Sequence, residues 1–489
     1  MRARVPYSAS RAKFHPLWTC HARQPHTRYA TAAPLRPEIY DVVCVGGGPA
    51  GLTLLTAIRS TPATSKLKLA LIESQDLTPA RTWKLPSDQY ANRASSITPK
   101  SEAFLSQIGV WPLIDPTRLQ PYHHMRVWDG LDSSSQISFS SPSSPIATMA
   151  ENSNLQQALL QRLEELAPFS TFDSTKVASI EDGPSPSSED SLDLSSYPSL
   201  TLSSGEKILA RLLVGADGLN SPVRTYAGIP TRGWDYERHG VVATVKYLER
   251  NNHHGDNKSV IAYQRFLPSG PIALLAMPGN YATLVWTTTP SKAAKLKTLA
   301  QEDLVALVNA AFRLDNVDLE YMSRLDGGHT EELNWRSRVA GVEEDEARIP
   351  RWVDSVQQGS VASFPLRYRQ TDTYVSSRIA LVGDAAHTVH PLAGQGLNMG
   401  LADVQSLVNT IEYTVKHGGD IGDEMYLDRY NREMWMQNNR MLGVTDKLHK
   451  LYGIGWGPVV GIRSLGLKMV DQLGPVKGWL MKQAGGIGT

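Results

Sequence analysis

Three glycines near the start of the chain have the spacing of a dinucleotide-binding loop. Gly46, Gly48 and Gly51 form a G-x-G-x-x-G pattern directly after a β-branched run, and Pro49 and Ala50 open a predicted helix. The first glycine permits a tight turn, the second lets the main chain approach a pyrophosphate, and the third lets the helix pack closely on the strand. The free N–H groups at the helix N-terminus also favour an anion. The pattern therefore predicts a site for the pyrophosphate of a dinucleotide.

An acidic residue follows at the position expected for a ribose contact. Glu73 lies 22 residues after Gly51 and ends the run Leu-Ala-Leu-Ile-Glu. In dinucleotide-binding folds such an acid accepts hydrogen bonds from the adenosine ribose, whereas an arginine there accommodates a 2′-phosphate. The acid therefore favours NAD or FAD. The alternative, a glycine-rich turn without a ligand, has less support because strand, glycines, helix, strand and acid occur together.

Two further turns carry an acid beside a glycine at the end of an apolar run. One holds Asp217 and Gly218, and the other holds Gly383 and Asp384. An acid at a strand end is well placed to bind sugar-like hydroxyl groups. Because Asp-Gly turns are common in proteins without any ligand, the first of these turns is informative only together with the other motifs.

A second glycine-rich loop leads into a long predicted helix. Gly394, Gln395 and Gly396 stand at the helix start, Asn398 lies in the first turn, and Pro391 lies in the loop before it. The glycines let main-chain N–H groups approach a planar, electron-rich ligand, and the helix dipole stabilises negative charge there. The loop therefore predicts a second contact region for the same ligand.

Two histidines in this loop have a spacing that occurs in metal sites. His387 and His390 form an H-x-x-H pattern, but no third ligand lies nearby in the sequence. A structural metal site needs four ligands and a catalytic one usually needs three from the protein. We therefore predict no metal site.

Alternating strands and helices position these motifs on both sides of a central block of strands. The hydrophobic pattern predicts strands at 40–45, 67–73, 198–203, 206–215 and 378–383, helices at 49–60, 99–108, 152–166, 396–417 and 423–450, and block strands at 240–247, 259–266, 272–277 and 282–287. The block interrupts an α/β pattern, which predicts a second, antiparallel domain inserted into the first. Two Ser-rich stretches, 131–145 and 183–198, are predicted surface insertions.

Composition excludes several classes of protein. The chain has 489 residues with 49 basic and 48 acidic side chains, so its formal net charge is +1. This balance excludes a polybasic nucleic-acid binder, and we expect no nucleic-acid partner. The sequence contains no run of about 18 uncharged apolar residues, so no transmembrane helix is predicted.

The charge is distributed unevenly along the chain. Residues 1–37 hold six Arg, one Lys and no acid, while the rest of the chain holds 42 basic against 48 acidic residues. An Arg-rich, acid-free start without an apolar core is typical of a mitochondrial transit peptide. The alternative is a basic arm without a targeting role.

The motifs together resemble those of the para-hydroxybenzoate hydroxylase-type FAD-dependent monooxygenases, in the same order and spacing over residues 38–420. The resemblance implies that the first glycine motif binds the ADP half of FAD, the Asp-Gly turn the pyrophosphate region, and the Gly-Asp turn the ribitol. The implied cofactor-binding residues are Gly46, Gly48, Pro49, Ala50, Gly51, Glu73, Arg93, Asp217, Gly218, Gly383, Asp384, Gly396 and Asn398. The implied catalytic residues, beside the flavin ring, are Pro391, Gly394, Gln395 and Gly396.

A closer resemblance is to the ubiquinone-biosynthesis hydroxylases. Residues 390–403, 92–99 and 151–155 are similar to the signatures of that branch. The long segment 290–360 and the basic start are similar to its mitochondrial members. The chain resembles most the eukaryotic hydroxylase that the family assigns to ring carbon 5 of a polyprenylated hydroxybenzoate.

The resemblance implies an FAD-dependent aromatic hydroxylase that transfers oxygen through a flavin hydroperoxide. The implied partners are a polyprenylated hydroxybenzoate, molecular oxygen, other ubiquinone-biosynthesis subunits, and ferredoxin with its reductase or NADPH as the electron donor. The sequence leaves the donor open. The implied location is the mitochondrial matrix, peripheral on the matrix face of the inner membrane. Alternatives are a prenyl reductase or halogenase of the same fold, and a non-catalytic scaffold, which the intact glycines, Glu73 and Asp384 disfavour.

The implied fold is α/β: a Rossmann-like FAD-binding domain with an inserted antiparallel β-sheet substrate domain and a helical C-terminus. The implied boundaries are 1–37 for the transit peptide, 38–230 for the first part of the FAD-binding domain with the Ser-rich insertions and part of the substrate region, 231–370 for the substrate domain with an insertion at 290–360, 371–420 for the last part of the FAD-binding domain, and 421–489 for C-terminal helices. Two questions stay open. Residues 259–288 form either a substrate floor or sheet core, and the tail 451–482 packs on its own domain or on a membrane or partner.

Overall fold

The structure is a computed structural model that describes residues 37–132, 134–186, 192–249, 260–340, 348–388 and 394–453. Almost all of the predicted transit peptide, Pro391, and most of the C-terminal tail lie outside the described residues. Within the described ranges, no helix is long and apolar enough to cross a membrane.

Strands and helices alternate through the described chain as the hydrophobic pattern predicts. The strands are β1 (Glu38–Val45), β2 (Leu69–Ile72), β3 (Ala94–Ile97), β4 (Gln120–Tyr122), β5 (His124–Asp129), β6 (Gln136–Ser140), β7 (Ala147–Glu151), β8 (Ser170–Phe172), β9 (Val177–Asp182), β10 (Pro198–Leu202), β11 (Lys207–Gly215), β12 (Thr231–Tyr247), β13 (Ile261–Leu267), β14 (Gly270–Ala276), β15 (Tyr281–Thr288), β16 (Val353–Val356), β17 (Ala362–Thr371), β18 (Val375–Ser376), β19 (Ile379–Leu381) and β20 (His387–Thr388). The α-helices are α1 (Pro49–Ser60), α2 (Thr78–Arg81), α3 (Pro99–Gln107), α4 (Asn152–Glu165), α5 (Pro222–Tyr226), α6 (Pro290–Thr298), α7 (Gln301–Arg313), α8 (Asn316–Met322), α9 (His329–Ala340), α10 (Gly396–Lys416) and α11 (Glu424–Gly453).

An eight-stranded sheet forms the Rossmann-like part. Its parallel core has the order β19-β11-β1-β2-β8, with β18 antiparallel at one edge and β10 and β9 attached beside β11. Val42, Val43 and Cys44 are consecutive in β1 and fully buried. Strands covered on both faces read as continuous apolar runs, which is why this part of the fold is visible in the sequence. The predicted Rossmann-like fold is confirmed.

A nine-stranded sheet forms the inserted part. Its order is β20-β17-β12-β15-β14-β13-β5-β6, with β16 paired to β12. The sheet is antiparallel as predicted, except that β13 pairs with β5 in parallel. The predicted loop at 131–145 is wrong for Gln136–Ser140, because β6 pairs there with β5. Its turn-forming serines hide a strand whose apolar residues, Ile137 and Phe139, face the interior.

Helices α6–α9 cover one face of this sheet, so the segment 290–360 is largely a helical layer. Tyr263, Leu274 and Trp286 point into the core between sheet and helices. Successive strand residues point to opposite faces, and Leu275 accordingly packs on the other side. Of the two alternatives for residues 259–288, sheet core therefore holds for the face under α6–α9. The opposite face lies towards the small sheet.

A three-stranded sheet with the order β3-β7-β4 connects the two larger sheets. Tyr122 and Met149 from this sheet pack against Ala262 of the nine-stranded sheet. On its other side, the sheet is tied to α10, because Asn398 donates to the carbonyl of Ser96 at 2.8 Å. The small sheet therefore lies between the nine-stranded sheet and α10 and contacts both.

Candidate active site

Four parallel strands end in one row at one edge of the eight-stranded sheet. The last residues of these strands lie side by side in register: Ile72, Val45, Gly215 and Leu381. The chain segments that follow them carry Glu73, Gly46, Asp217 and Gly383. In α/β sheets, ligands bind in the crevice at the carboxyl ends of the strands. The fold thus brings four of the sequence motifs, which span more than 300 residues of chain, to one edge.

The three glycines of the first motif have distinct steric surroundings. Gly46 has a φ of +111°, and a Cβ there would lie 2.2 Å from the Ala216 carbonyl oxygen. A Cβ at Gly51 would lie 2.0 Å from the Gly46 carbonyl oxygen. At Gly48, by contrast, no described atom lies within 4 Å of the Cβ position. Two glycines are required by close packing of the protein on itself, and Gly48 faces open space.

Glu73 supports the glycine loop directly. Its carboxylate accepts a hydrogen bond from the main-chain N–H of Gly47 at 2.5 Å and one from Gln75 at 2.8 Å. The Gly47 carbonyl in turn accepts from the side chain of Gln156 at 3.0 Å. Glu73 therefore holds the loop in shape in addition to its predicted contact with a ribose.

The start of α1 links the two halves of the site. Pro49 occupies the first turn, where a missing N–H costs nothing. The Cβ of Ala50 lies 3.5 Å from the Cβ position of Gly383. A larger residue at either position would separate the glycine loop from the Gly-Asp turn.

The Asp217-Gly218 turn presents polar atoms without partners. One carboxylate oxygen of Asp217 accepts from the Val223 N–H at 3.3 Å, while the other is buried with no partner among the described residues. Burial raises the pKa of the Asp217 carboxyl. Gly218 has a φ of +81°, and no described atom lies within 4 Å of its Cβ position. An orphaned buried oxygen beside open space is the arrangement expected where a ligand completes the site.

Gly383 and Asp384 form a single 3₁₀ turn between β19 and β20. Gly383 has a φ of +60°. The Asp384 side chain is exposed at the site edge, yet desolvation by the surrounding protein raises the pKa of its carboxyl. Proximity to His387 lowers that pKa and the charge of Asp403 raises it again. Asp384 is therefore free to accept hydrogen bonds from a ligand's hydroxyl groups.

The start of α10 carries the segment predicted to lie beside a flavin ring. Gly394 has a φ of +59° and packs near Ser96, with its Cβ position 3.5 Å from the Ser96 Cβ. The first intrahelical bond runs from Met399 to the Gln395 carbonyl, so the N–H groups before Met399 have no earlier helical carbonyl to donate to. Gly396 is the first residue of the helix. This end of α10 is therefore an anion-stabilising terminus, while Pro391 lies outside the described residues.

Asn398 has a structural task in addition to any cofactor contact. Its side-chain oxygen accepts from the Thr98 N–H at 3.0 Å, and its side-chain nitrogen donates to the Ser96 carbonyl. The amide is thus occupied by β3 and the residue after it. A contact between Asn398 and a cofactor would use the main chain.

Arg93 is exposed and lies just before β3. Its carbonyl accepts from the Asn152 N–H at 3.0 Å, which ties it to the start of α4. The segment before it is held by a buried ion pair: Arg118 contacts Glu151 at 2.6 Å, with side-chain exposures of 8% and 0%. Glu151 also accepts from the Ala91 N–H. The ion pair therefore fixes the position of the main chain at Arg93, just before it enters the small sheet.

The structure also reveals a buried polar cluster whose contacts the motifs do not show. Asp403 on α10 accepts hydrogen bonds from His387, from the Gly383 N–H and from the side chain of Asn438. In the sequence, Asp403 ends the signature 390–403 and is the one acid between Gly396 and Ile411. The signature gave Asp403 no role of its own, because its partners come from distant parts of the chain.

The structure describes one of the two histidines of the H-x-x-H pattern. His387 bonds to Asp403, and His390 lies outside the described residues. Within the described ranges, no group of three or more His, Cys, Asp or Glu side chains is arranged to hold a metal ion.

Comparison with known proteins identifies the family. A family described as "FAD binding domain" matches residues 39–325 and 325–442. The relatives include "Ubiquinone biosynthesis monooxygenase COQ6, mitochondrial" of Schizosaccharomyces pombe, 39% identical over 93% of this chain and 94% of that protein. The proteins of the same name from Saccharomyces cerevisiae and Homo sapiens are 39% and 34% identical, covering 94% and 91% of this chain and 96% and 92% of theirs.

The chain belongs to the family of ubiquinone biosynthesis monooxygenases.

Membership confirms the predicted activity and cofactor. The chain is an FAD-dependent monooxygenase of ubiquinone biosynthesis, and its substrate and molecular oxygen are its partners. These relatives do not favour the alternatives of a reductase, a halogenase or a scaffold. The relatives are named mitochondrial, in agreement with the basic N-terminal segment.

Solved structures show the same fold at low sequence identity. p-Nitrophenol 4-monooxygenase PnpA from Pseudomonas putida DLL-E4 matches with a TM-score of 0.63 and 17% identity, covering 92% of this chain and 99% of that chain. The probable FAD-dependent monooxygenase pqsL from Pseudomonas aeruginosa matches with a TM-score of 0.61 and 17% identity, covering 85% and 97%.

The residues of this monooxygenase fit FAD. Open space at Gly48 and Gly218 leaves room for a pyrophosphate, and the partnerless oxygen of Asp217 lies beside it. Asp384 stands exposed further along the strand row. The donor set is made of main-chain N–H groups and carboxylates, which suits phosphates at one end and sugar-like hydroxyl groups at the other.

Proposed function

We propose that this monooxygenase hydroxylates ring carbon 5 of a polyprenylated hydroxybenzoate during ubiquinone biosynthesis. One observation carries the proposal: the row of strand ends and the N-terminus of α10 lie on one side of the small sheet, and the face of the nine-stranded sheet opposite α6–α9 lies on the other. FAD supplies the oxygen chemistry when bound, and the protein supplies position, polarity and exclusion of water.

The cofactor contacts are assigned from one end of the strand row to the other. Gly46, Gly48, Pro49, Ala50 and Gly51 hold the ADP half, with Glu73 on its ribose. The remaining contacts are assigned to Arg93, Asp217, Gly218, Gly383, Asp384, Gly396 and Asn398. Support comes from the open space at Gly48 and from the partnerless oxygen of Asp217.

The catalytic segment is assigned to Pro391, Gly394, Gln395 and Gly396. The N-terminus of α10 stabilises negative charge, since its first N–H groups have no helical acceptors. Bound FAD would supply the electrons for the reaction with molecular oxygen, and a pre-oriented helix terminus would stabilise the negative charge that develops on its ring.

The substrate ring is assigned to the face of the nine-stranded sheet opposite α6–α9. Ala273, Leu275 and Val285 point to this face and are half-buried, while their strand neighbours fill the core under α6–α9. Small and aliphatic side chains beside a polar cofactor suit an aromatic ring with an apolar tail.

The electron donor is assigned to ferredoxin with its reductase, with NADPH as the alternative. Support comes from the sequence, which has no second glycine motif flanked by a strand and a helix. Anaerobic mixing with NADPH, and separately with reduced ferredoxin, distinguishes the two. Bleaching of the flavin by NADPH alone would contradict this assignment.

The location is assigned to the matrix face of the inner mitochondrial membrane, together with other ubiquinone-biosynthesis subunits. Residues 1–37 act as the transit peptide in this proposal, because they are Arg-rich and free of acids. A fluorescent protein fused to residues 1–40 should enter mitochondria. A diffuse cytosolic signal would contradict the targeting role.

The reaction is tested with labelled oxygen. The purified holoenzyme is given a short-chain prenylated hydroxybenzoate, its electron donor and ¹⁸O₂, and the product is analysed by mass spectrometry and NMR. We expect one ¹⁸O atom, bonded to ring carbon 5, and no product from Asp384→Ala. Label derived from water, or a hydroxyl group at another carbon, would overturn the proposal.

A further inference from the structure

A fully buried carboxylate lies directly behind the Gly-Asp turn. Asp403 and His387 have exposures of 0% and 2%. One Asp403 oxygen accepts from the Nε2 of His387 at 2.6 Å and from the Gly383 N–H at 2.9 Å. The other oxygen accepts from the Asn438 side chain at 2.8 Å. The carboxylate thus joins α10, the turn before β20 and α11.

Both oxygens of the Asp403 carboxylate accept hydrogen bonds inside the protein. A buried charge is tolerated where several donors and a counter-charge satisfy it, and it becomes costly when one of them is removed. His387 is the counter-charge. Asn438 also contacts the hydroxyl of Tyr374, so α11 contributes a second layer of support.

We propose that Asp403 is the positioning residue of the flavin end of the FAD site, which is the Gly383-Asp384 turn together with the start of α10. It acts with a charged His387 to hold the Gly383 main chain and thereby the Asp384 carboxylate. This inference rests on the assignment of Asp384 to FAD under the proposed function. Asp403 lies on the same helix whose N-terminus carries Gly394–Gly396. It therefore fixes the distance between the two flavin-end elements, the turn and the helix start.

The charge state of His387 follows from the groups that face it. These are Asp403 from α10, Asp384 from its own turn and the ring of Tyr374, while Arg224 donates to the nearby Ala385 carbonyl. Burial alone would lower the pKa of the His387 imidazole. The charge and hydrogen bond of Asp403 outweigh burial and raise that pKa above its ordinary value.

The ion pair between His387 and Asp403 depends on pH. A raised pKa in the folded protein means that the stabilising ion pair is fully present at low pH and is lost as the pH rises through that pKa. When His387 loses its proton, Asp403 loses its counter-charge, and the hold on Gly383 weakens. FAD affinity should therefore fall as the pH rises through the pKa of His387.

The experiment measures the dissociation constant of FAD with full-length apoprotein, by flavin fluorescence, from about pH 6 to about pH 9. Asp403→Asn removes the charge without changing the shape, and it should weaken FAD binding by about 10- to 100-fold. His387→Gln keeps a donor to Asp403. It should bind FAD more tightly than His387→Ala and should lack the pH transition.

Two variants serve as controls. Thr410→Val replaces a buried side chain on the same helix whose hydroxyl has no partner among the described residues, and it should bind FAD like the parent protein. Asp384→Asn tests the underlying assignment and should weaken FAD binding. Unchanged binding in Asp384→Asn would overturn the cofactor assignment itself.

The positioning role of Asp403 can be contradicted even if the cofactor assignment of Asp384 holds. If Asp384→Asn binds weakly while Asp403→Asn binds like the parent protein, Asp403 has no such role. If Asp403→Asn does not fold, His387→Gln decides, because a pH transition identical to that of the parent protein would overturn the inference.

Discussion

The ADP end of the FAD site is assembled from residues close together in the chain, whereas the flavin end is assembled from residues far apart. Glu73 reaches the Gly47 N–H across 26 positions. Asn398 reaches Ser96 across 302 positions, and Asn438 reaches Asp403 from another helix. The first end depends on one β-α-β unit. The second depends on how the small sheet, α10 and α11 pack against each other.

The difference predicts two kinds of sensitivity. Changes at the ADP end should act through sterics of the glycine loop, and should divide cleanly into folding effects and cofactor effects. Changes at the flavin end should act through buried polar contacts between elements. The following variants test this difference between the two ends, in order of decreasing expected effect.

Gly51→Val should have the largest effect. Its Cβ would lie 2.0 Å from the Gly46 carbonyl oxygen, and main-chain atoms cannot move aside without separating α1 from β1. We expect a loss of more than about 4 kcal/mol in the free energy of unfolding, enough to prevent folding. Soluble expression and urea unfolding measure it. A variant with parental stability would show that the strand and helix can separate at no cost.

Arg118→Met should have the next largest effect, at the flavin end. It leaves the Glu151 carboxylate buried without its counter-charge, which typically costs about 3–5 kcal/mol. Urea unfolding measures the change in the free energy of unfolding. The matched control is Lys68→Met, which breaks the half-exposed pair with Glu38 and should cost no more than about 1 kcal/mol. Equal costs for the two variants would contradict the importance of the buried pair.

Gly48→Ala should separate cofactor binding from folding. Because no described atom lies within 4 Å of the Cβ position, the free energy of unfolding should change by no more than about 1 kcal/mol. The methyl group instead enters the space assigned to the pyrophosphate, so FAD affinity should fall by about tenfold or more. Thermal unfolding of apoprotein and FAD titration are measured side by side. Parental FAD affinity would place the pyrophosphate elsewhere.

Glu73→Gln should have the smallest effect. Its side-chain oxygen can still accept from the Gly47 N–H, which preserves the contact with the glycine loop, while the hydrogen bond from the Gln75 N–H is lost. The hydrogen bonds to the ribose lose their charge assistance, which should weaken FAD binding by about fivefold. FAD titration checks this value. A loss as large as that of Gly48→Ala would mean that Glu73 acts mainly by holding the loop.

Sequence reading was most accurate where structure depends on near neighbours. The predicted helix at 49–60 matches α1 residue for residue, and the predicted helix at 396–417 matches α10 within one residue. Both have start signals and regular apolar spacing, which act over one or two turns. The strand β6 was missed because its serines are typical of loops and its partner strand β5 supplies the hydrogen bonds.

The candidate site divides in the same way. The glycines, Glu73, the Asp-Gly turn and the Gly-Asp turn were readable because each requires a residue type at a fixed spacing from a strand end. Asp403 was readable only as the last residue of a family signature, without a role, because the role of an acid on a helix depends on donors that other elements supply. The Arg118–Glu151 pair escaped for the same reason.

The sequence by itself determined the Rossmann-like unit, the cofactor class and the family, since these depend on local spacing of glycines, strands and acids. The tertiary structure was needed to show which face of the nine-stranded sheet α6–α9 cover, and which buried charges lie behind the Gly-Asp turn. A buried charge or a covered sheet face is defined by the groups that pack against it. Those groups lie up to hundreds of residues away, where no spacing rule reaches.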